Sequence, residues 1–222
     1  MLADAATNHL SWFGRGRERF ELDGVTLFVG TGDAVLAFPR HDADLAGAVE
    51  RAREARVAEI GCWALEPHDE LGKRLRRLGF QDGWQPHWMG ADPREPRDAP
   101  GHPIDRSGDC DPELPYASPQ HRQAIAGDAQ HLVARQGGQI VGHAVLNVDG
   151  ATGGVYDMGV LPSARRQGYG LALTLASLAT ARESGCTSVT LNATGEGEPV
   201  YRRAGFRSLG LGKTWWLFAR RR

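Results

Sequence analysis

Lysine is almost missing from this chain: only Lys73 and Lys213 stand among its 26 basic residues. Arginine takes the other basic positions, and with abundant alanine and glycine that bias points to a GC-rich bacterial genome. Net charge of one sign is missing too. The formal charge is −1 and the sequence pI about 6.7, so there is no basic footprint for nucleic acid or an anionic membrane. The only cysteines, Cys62, Cys110 and Cys186, are odd in number, far apart and without metal-ligand spacing. That excludes a disulfide framework and predicts free, mostly buried thiols in a reducing compartment, with no metal. No apolar run approaches the ~20 residues of a membrane span. Met1 to Asn8 carry neither a basic nor an apolar leader region, so a cytoplasmic location is expected.

What is present is an ordinary globular balance, 41% hydrophobic and 24% charged, in 222 residues. That length holds one large domain or two small ones. Ala91 to His102, with three Xaa-Pro steps at Asp92-Pro93, Glu95-Pro96 and Ala99-Pro100, reads as a linker. We therefore expect a first half over 1–92, a linker over 93–117 and a second half over 118–222.

In the first half, Phe20–Leu22, Val25–Val29 and Ala34–Phe38 read as a meander of short strands, broken at Asp23-Gly24 and Gly32-Asp33. A helix over Asp42–Arg56 follows, with Asp42 or Asp44 as its cap and Leu45, Val49 and Ala52 on one face. Then come a strand over Val57–Leu65 and a helix ending in Leu75-Arg76-Arg77-Leu78-Gly79-Phe80. That ending echoes Tyr201-Arg202-Arg203-Ala204-Gly205-Phe206, and the strand Ile60–Ala64 echoes Val189–Ala193. A weak internal repeat is one reading; a shared helix-stop pattern is the other.

The second half reads as a short helix (Gln120–Ala126) and a hairpin of His131–Arg135 with Ile140–Val148. A third strand (Gly154–Leu161) and a helix (Leu171–Ser184) follow. Next come a strand (Ser188–Ala193), a helix at Tyr201 and a last strand near Trp215–Phe218. Its most informative stretch is Val160-Leu161-Pro162-Ser163-Ala164-Arg165-Arg166-Gln167-Gly168-Tyr169-Gly170. A proline closes a strand and glycines open a helix, which lets several backbone N–H groups converge where a diphosphate could sit.

Arg165-x-x-Gly168-x-Gly170 after a Val-x-Pro strand end, followed by Tyr201-x-x-x-Gly205-Phe206, resembles the GCN5-related N-acetyltransferase (GNAT) superfamily over residues ~118 to 220. The resemblance implies an α/β (α+β) fold, with a mixed, mostly antiparallel sheet flanked by helices. The first half would be a degenerate GNAT-like copy that lacks the glycine loop and has Leu75 where Tyr201 stands. It further implies an N-acyltransferase that moves an acetyl or related acyl group from acyl-CoA to a primary amine by direct transfer. A small-molecule amine is the favoured acceptor, with a peptide or protein acceptor, or a non-catalytic acyl-CoA-binding module, as alternatives. A monomer or homodimer fits, and no nucleic-acid partner is expected.

Carried over by resemblance, the diphosphate would meet the N–H groups of Gln167, Gly168, Tyr169, Gly170 and Leu171, with Arg165 or Arg166 adding charge. The backbone of Met158, Gly159 and Val160 would pair with the pantetheine arm. An N–H near Gly159 or Val160 would serve as oxyanion donor. Tyr201 would protonate the departing thiolate. Asn192 is a candidate for a pantetheine contact. Many relatives carry a Glu where this chain has Tyr156, so the general base stays open among Asp157, Tyr156, His143 and a water chain. The alternation of a strand places Asp157 on the opposite face unless a bulge shifts the register. Trp84, Trp88, Trp215 and Trp216 read either as acceptor-pocket lining or as core.

Overall fold

A computed structural model describes residues 1–95, 101–107, 124 and 127–219. The chain forms two compact units, each discontinuous in sequence. The smaller joins Leu10–Pro86 to Gly210–Arg222; the larger joins Met1–His9 to His87–Leu209. The contiguous blocks 1–92 and 118–222 expected from composition therefore do not coincide with them.

The smaller unit is built on a six-stranded sheet. Strands β1 (Glu18–Leu22), β2 (Val25–Val29) and β3 (Asp33–Ala37) form an antiparallel meander. Helix α2 (Leu45–Glu54) follows, after the N-terminal helix α1 (Leu2–Gly14). Its cap is Asp44, whose Oδ1 accepts from the Gly47 N–H at 3.0 Å. Leu45, Ala48, Val49 and Ala52 recur at helical spacing and are the face it buries. Strand β4 (Glu59–Ala64) returns parallel to β3 and leads into α3 (Asp69–Arg77) and the short β5 (Gln81–Asp82). Cys62, Leu75, Phe80 and Trp215 meet in this unit's core with Leu27, Leu36 and Ile60.

The larger unit repeats the order. Its seven-stranded sheet contains β6 (His87–Ala91), β7 (Ile104–Ser107), β8 (Gln130–Gln136), β9 (Gln139–Asp149), β10 (Thr152–Val160) and β11 (Ser188–Ala193). Strand β12 (Arg207–Leu211) completes it. Helix α4 (Tyr169–Glu183) joins β10 to β11, and α5 (Glu198–Arg203) joins β11 to β12. Each sheet contains a parallel pair, β3–β4 in one and β10–β11 in the other.

The sheet orders are β1-β2-β3-β4-β13-β5 and β12-β6-β11-β10-β9-β8-β7, with β13 spanning Lys213–Phe218. Strand β13 thus lies between β4 and β5, and β6 lies between β11 and β12. This corrects two expectations. The last strand does not complete the second half's own sheet, and His87–Ala91, not read as a strand, occupies that slot instead. A strand docks wherever a free backbone edge and a fitting apolar face meet, and chain order does not decide which edge that is. The expected linker also contains β7, paired with β8 from Ile104↔Ala134 to Ser107↔His131. The expected helix Gln120–Ala126 and Cys110 lie outside the described residues, apart from Ala124, which is helical and buried.

Trp88 and Trp215 are buried core residues rather than pocket lining, whereas Trp84 is 39% exposed. The helix stop shared by the two halves is real. Phe80 N–H reaches Leu75 O at 3.1 Å, and Phe206 N–H reaches Tyr201 O at 3.0 Å. Each stop turns on a glycine with positive φ, Gly79 and Gly205. No helix among the described residues is long and apolar enough to cross a membrane.

Candidate active site

Strand β10 carries the site, and its irregularities shape it. Its register with β9 runs from Thr152↔Asp149 to Tyr156↔Val145 and resumes at Gly159↔His143. Asp157 and Met158 together therefore oppose Ala144 alone, which is a β-bulge. Asp157 takes φ +45° to make it. The simple alternation that assigned Asp157 to the opposite face does not apply across that bulge.

On its other side β10 pairs with β11 only from Thr152↔Ser188 to Val155↔Leu191. Beyond that point the strands part, although β10 continues to Val160 and β11 to Ala193. The backbone groups of Met158 and Val160 are thus left as an open edge, without a strand partner on the side away from β9, whereas Gly159, opposite His143, faces β9. Asn192 sits on β11 just past the last pair. Its Oδ1 is buried and has no hydrogen-bond partner among the described residues. A buried acceptor without a donor is costly, and a ligand N–H entering the gap would satisfy it.

The glycine loop stands at the end of the open edge. Leu161 N–H makes the last contact with the sheet, to Val141 O at 2.8 Å, and a single 3₁₀ turn over Pro162–Ala164 follows. Arg165 Nε reaches back to Val160 O at 3.3 Å, and Arg166 is left-handed at φ +63°. Gln167 is braced on both sides: its Nε2 donates to Ser163 O (3.1 Å), and its Oε1 accepts from Gln136 Nε2 (3.2 Å). Gly168 is the N-cap of α4 at φ +94°, a conformation only glycine adopts without strain, and no side chain caps this helix. The first α4 hydrogen bond is Ala172 N–H to Gly168 O. The N–H groups of Gln167 through Leu171 make no backbone hydrogen bond among the described residues. They converge at the positive end of a fifteen-residue helix, an arrangement suited to an oxyanion.

Tyr201 lies on α5, buried beside Phe206, with ring centroids 5.9 Å apart. Burial pushes its hydroxyl up to about 12, and no described residue hydrogen-bonds to it. Helix α5 is anchored by β6. His87 Nδ1 lies 3.1 Å from Glu198 Oε2, and Arg202 pairs with the same carboxylate group at 2.7 Å. Arg202 first, and then His87, hold the Glu198 carboxyl below its usual range.

Tyr156 is in a different situation. Its hydroxyl donates to Asn8 Oδ1 at 2.8 Å. Asn8, fully buried on α1, in turn donates to Asn147 O at 3.1 Å and Thr152 O at 2.9 Å. A Cβ on Gly154 would lie 2.0 Å from Asn8 Oδ1, so the glycine is what admits the amide. The phenol is thereby engaged as a donor in a buried polar network. His143 is buried opposite Gly159, with its ring 6.1 Å from that of His131. Among the described residues no group of acidic, His and Cys side chains is arranged to hold a metal ion. Asn8 escaped the sequence reading, and so did His102, which packs on the loop. The one available signal was a polar Asn8-His9 pair on the helical face made by Ala5, Trp12 and Phe13.

No curated protein matches the chain. A family model described as an acetyltransferase (GNAT) domain matches residues 113–213. Among solved structures, a GCN5-related N-acetyltransferase from Kribbella flavida is similar at 20% identity and a TM-score of 0.70. The match covers 97% of this chain and 95% of that one. A GCN5-related N-acetyltransferase from Sphaerobacter thermophilus is 17% identical with a TM-score of 0.62, over 88% of this chain and 76% of that one. A tandem GNAT protein from the clavulanic acid biosynthesis pathway is 15% identical with a TM-score of 0.59, over 90% and 80% respectively. At these identities the structural likeness speaks for the fold.

Proposed function

We propose, from the match of residues 113–213 to an acetyltransferase (GNAT) domain model, that the protein transfers an acetyl or related acyl group from acyl-CoA directly to a primary amine of a small molecule. The observation that carries this reading is the gap between β10 and β11, which runs from Val155↔Leu191 to the uncapped helix at Gly168. An extended amide-bearing arm fits the open edge of Met158–Val160 and the unpartnered Asn192 Oδ1. A diphosphate fits the N–H groups of Gln167–Leu171, with Arg165 and Arg166 beside them. Bound acyl-CoA would supply the activated thioester.

The rest of the chemistry falls to this chain's own side chains. Tyr201 would hold its proton at every physiological pH and present it to the departing sulfur. The N–H of Val160, which faces away from β9, would receive the developing oxyanion. With the Tyr156 hydroxyl donated to Asn8, we assign removal of the amine proton to Asp157 in the bulge, directly or through water. Catalysis is assigned to the second half of the chain. The first half, with Leu75 at the position matching Tyr201, is assigned a non-catalytic role.

The test is calorimetric titration of acetyl-CoA and CoA into wild type and Gly168→Glu. A side chain at φ +94° strains the loop, and its carboxylate repels phosphate. Micromolar binding in wild type and none in the variant, followed by thiol release with a panel of small amines, is the expected result. Absence of binding in wild type would overturn the assignment.

A further inference from the structure

His102 precedes β7, well away in sequence from the glycine loop, yet its ring lies on that loop. Its Nε2 is 2.6 Å from Gln167 O, and its ring centroid is 4.2 Å from that of Tyr169, tilted by 33°. Gly168 lies between those two residues, and a Cβ there would stand 3.3 Å from His102 Nε2, a tight contact that the glycine avoids. A carbonyl oxygen only accepts, so Nε2 carries the hydrogen and donates it, which sets the tautomer.

The peptide unit between Gln167 and Gly168 is planar and trans, so its C=O and N–H point in opposite directions. Pinning the oxygen to His102 therefore turns the Gly168 N–H to the far side of the plane. Left-handed glycine is the position at which a peptide plane flips at least cost, so an unanchored loop would sample both orientations. A donor aimed before the ligand arrives costs nothing to orient on binding.

Resting on the reading that this loop receives the diphosphate of CoA, we propose that His102 is a positioning residue of the cradle. Through its Nε2–H to Gln167 O, it holds the Gly168 N–H toward the phosphates. Tyr169, stacked beneath the imidazole, keeps the ring in register.

Four proteins test this: wild type, His102→Ala, His102→Phe and His102→Gln. Phenylalanine keeps the stacking and loses the donor; glutamine keeps an N–H at the matching distance from Cα and loses the ring. Calorimetry with CoA, and with S-acetylpantetheine, which has the amide arm but no diphosphate, reads the effect. The dissociation constant for CoA is expected to rise about 10-fold in the Ala and Phe variants. Gln should recover most of that loss, and S-acetylpantetheine should bind all four equally. In turnover, KM for acetyl-CoA should rise with kcat unchanged. Phe binding CoA like wild type would reduce the contact to stacking and overturn the proposal, as would an equal loss for both ligands. Wild type that binds CoA with all variants unchanged sinks this inference alone. Wild type that binds no CoA removes the functional reading and this inference with it.

Discussion

The two halves of the molecule share an order of elements and a helix stop, and they differ at the two places where a ligand would enter. In the smaller unit β3 and β4 stay paired along the whole of β3, from Asp33↔Glu59 to Ala37↔Trp63. In the larger unit β10 parts from β11 after Val155 and runs five residues further, to Val160. The helix that follows is closed by Asp44 in the first case and begins at a bare, left-handed Gly168 in the second. One N-terminus is satisfied by its own carboxylate; the other offers its N–H groups to an anion from outside. On the proposed reading, one scaffold becomes a receptor by leaving edges and caps unmade.

The comparison is broken hardest at Tyr201, which matches Leu75 in the shared stop. Tyr201→Leu gives the second half the residue of the first. Because Leu75 packs in the same motif, the fold and CoA binding should survive. Turnover should fall by about 10²–10⁴-fold, measured as thiol release with an accepted amine. Undiminished turnover would remove Tyr201 as the acid.

The same variant sharpens the comparison at high pH. The folded Tyr201 hydroxyl keeps its proton to about 12 because it is buried, whereas an unfolded tyrosine releases it near 10. That stability is complete below pH 10 and is lost as pH rises from 10 through 12, roughly 2–3 kcal/mol in all. In the smaller unit, burial pushes the Cys62 thiol up as well, but that contribution is common to both proteins. Urea midpoints taken from about pH 9 upward should therefore fall less steeply in Tyr201→Leu than in wild type. Parallel slopes would show that the hydroxyl is not held neutral by burial.

The smallest effect is at Asp44. Asp44→Ala should cost about 1 kcal/mol in urea unfolding, the ordinary worth of an N-cap. It should leave CoA binding untouched, since no left-handed glycine opens α2. A gain of anion binding there would mean that a missing cap alone makes a receptor.

Much of this was legible in residues. Periodicity located the meander, α2, α4 and the β8–β9 hairpin. Asp44 was one of the two caps named in advance, and the glycine loop and the Tyr201 stop were found by spacing. The bulge at Asp157 was foreseen only as a condition on that residue's direction. Strands β6 and β7 were not read, because short, mixed segments carry little periodicity of their own; α1 was not read either, although Ala5, Trp12 and Phe13 recur on one helical face.

The amino-acid sequence by itself determined the local chemistry: a left-handed glycine opening α4, a proline closing β10, and a tyrosine four residues ahead of Gly205-Phe206, where the first half has Leu75 ahead of Gly79-Phe80. These follow from backbone sterics and capping, which act within a few residues. Only the tertiary structure decided that β6 and β13 exchange places, that β10 parts from β11 after Val155, and that Asn8 takes the Tyr156 hydroxyl. It also decided that His102 rests on the glycine loop. Each of those depends on which distant edge, carbonyl or ring competes best for a donor or a face, and that competition is settled only when the whole chain has packed.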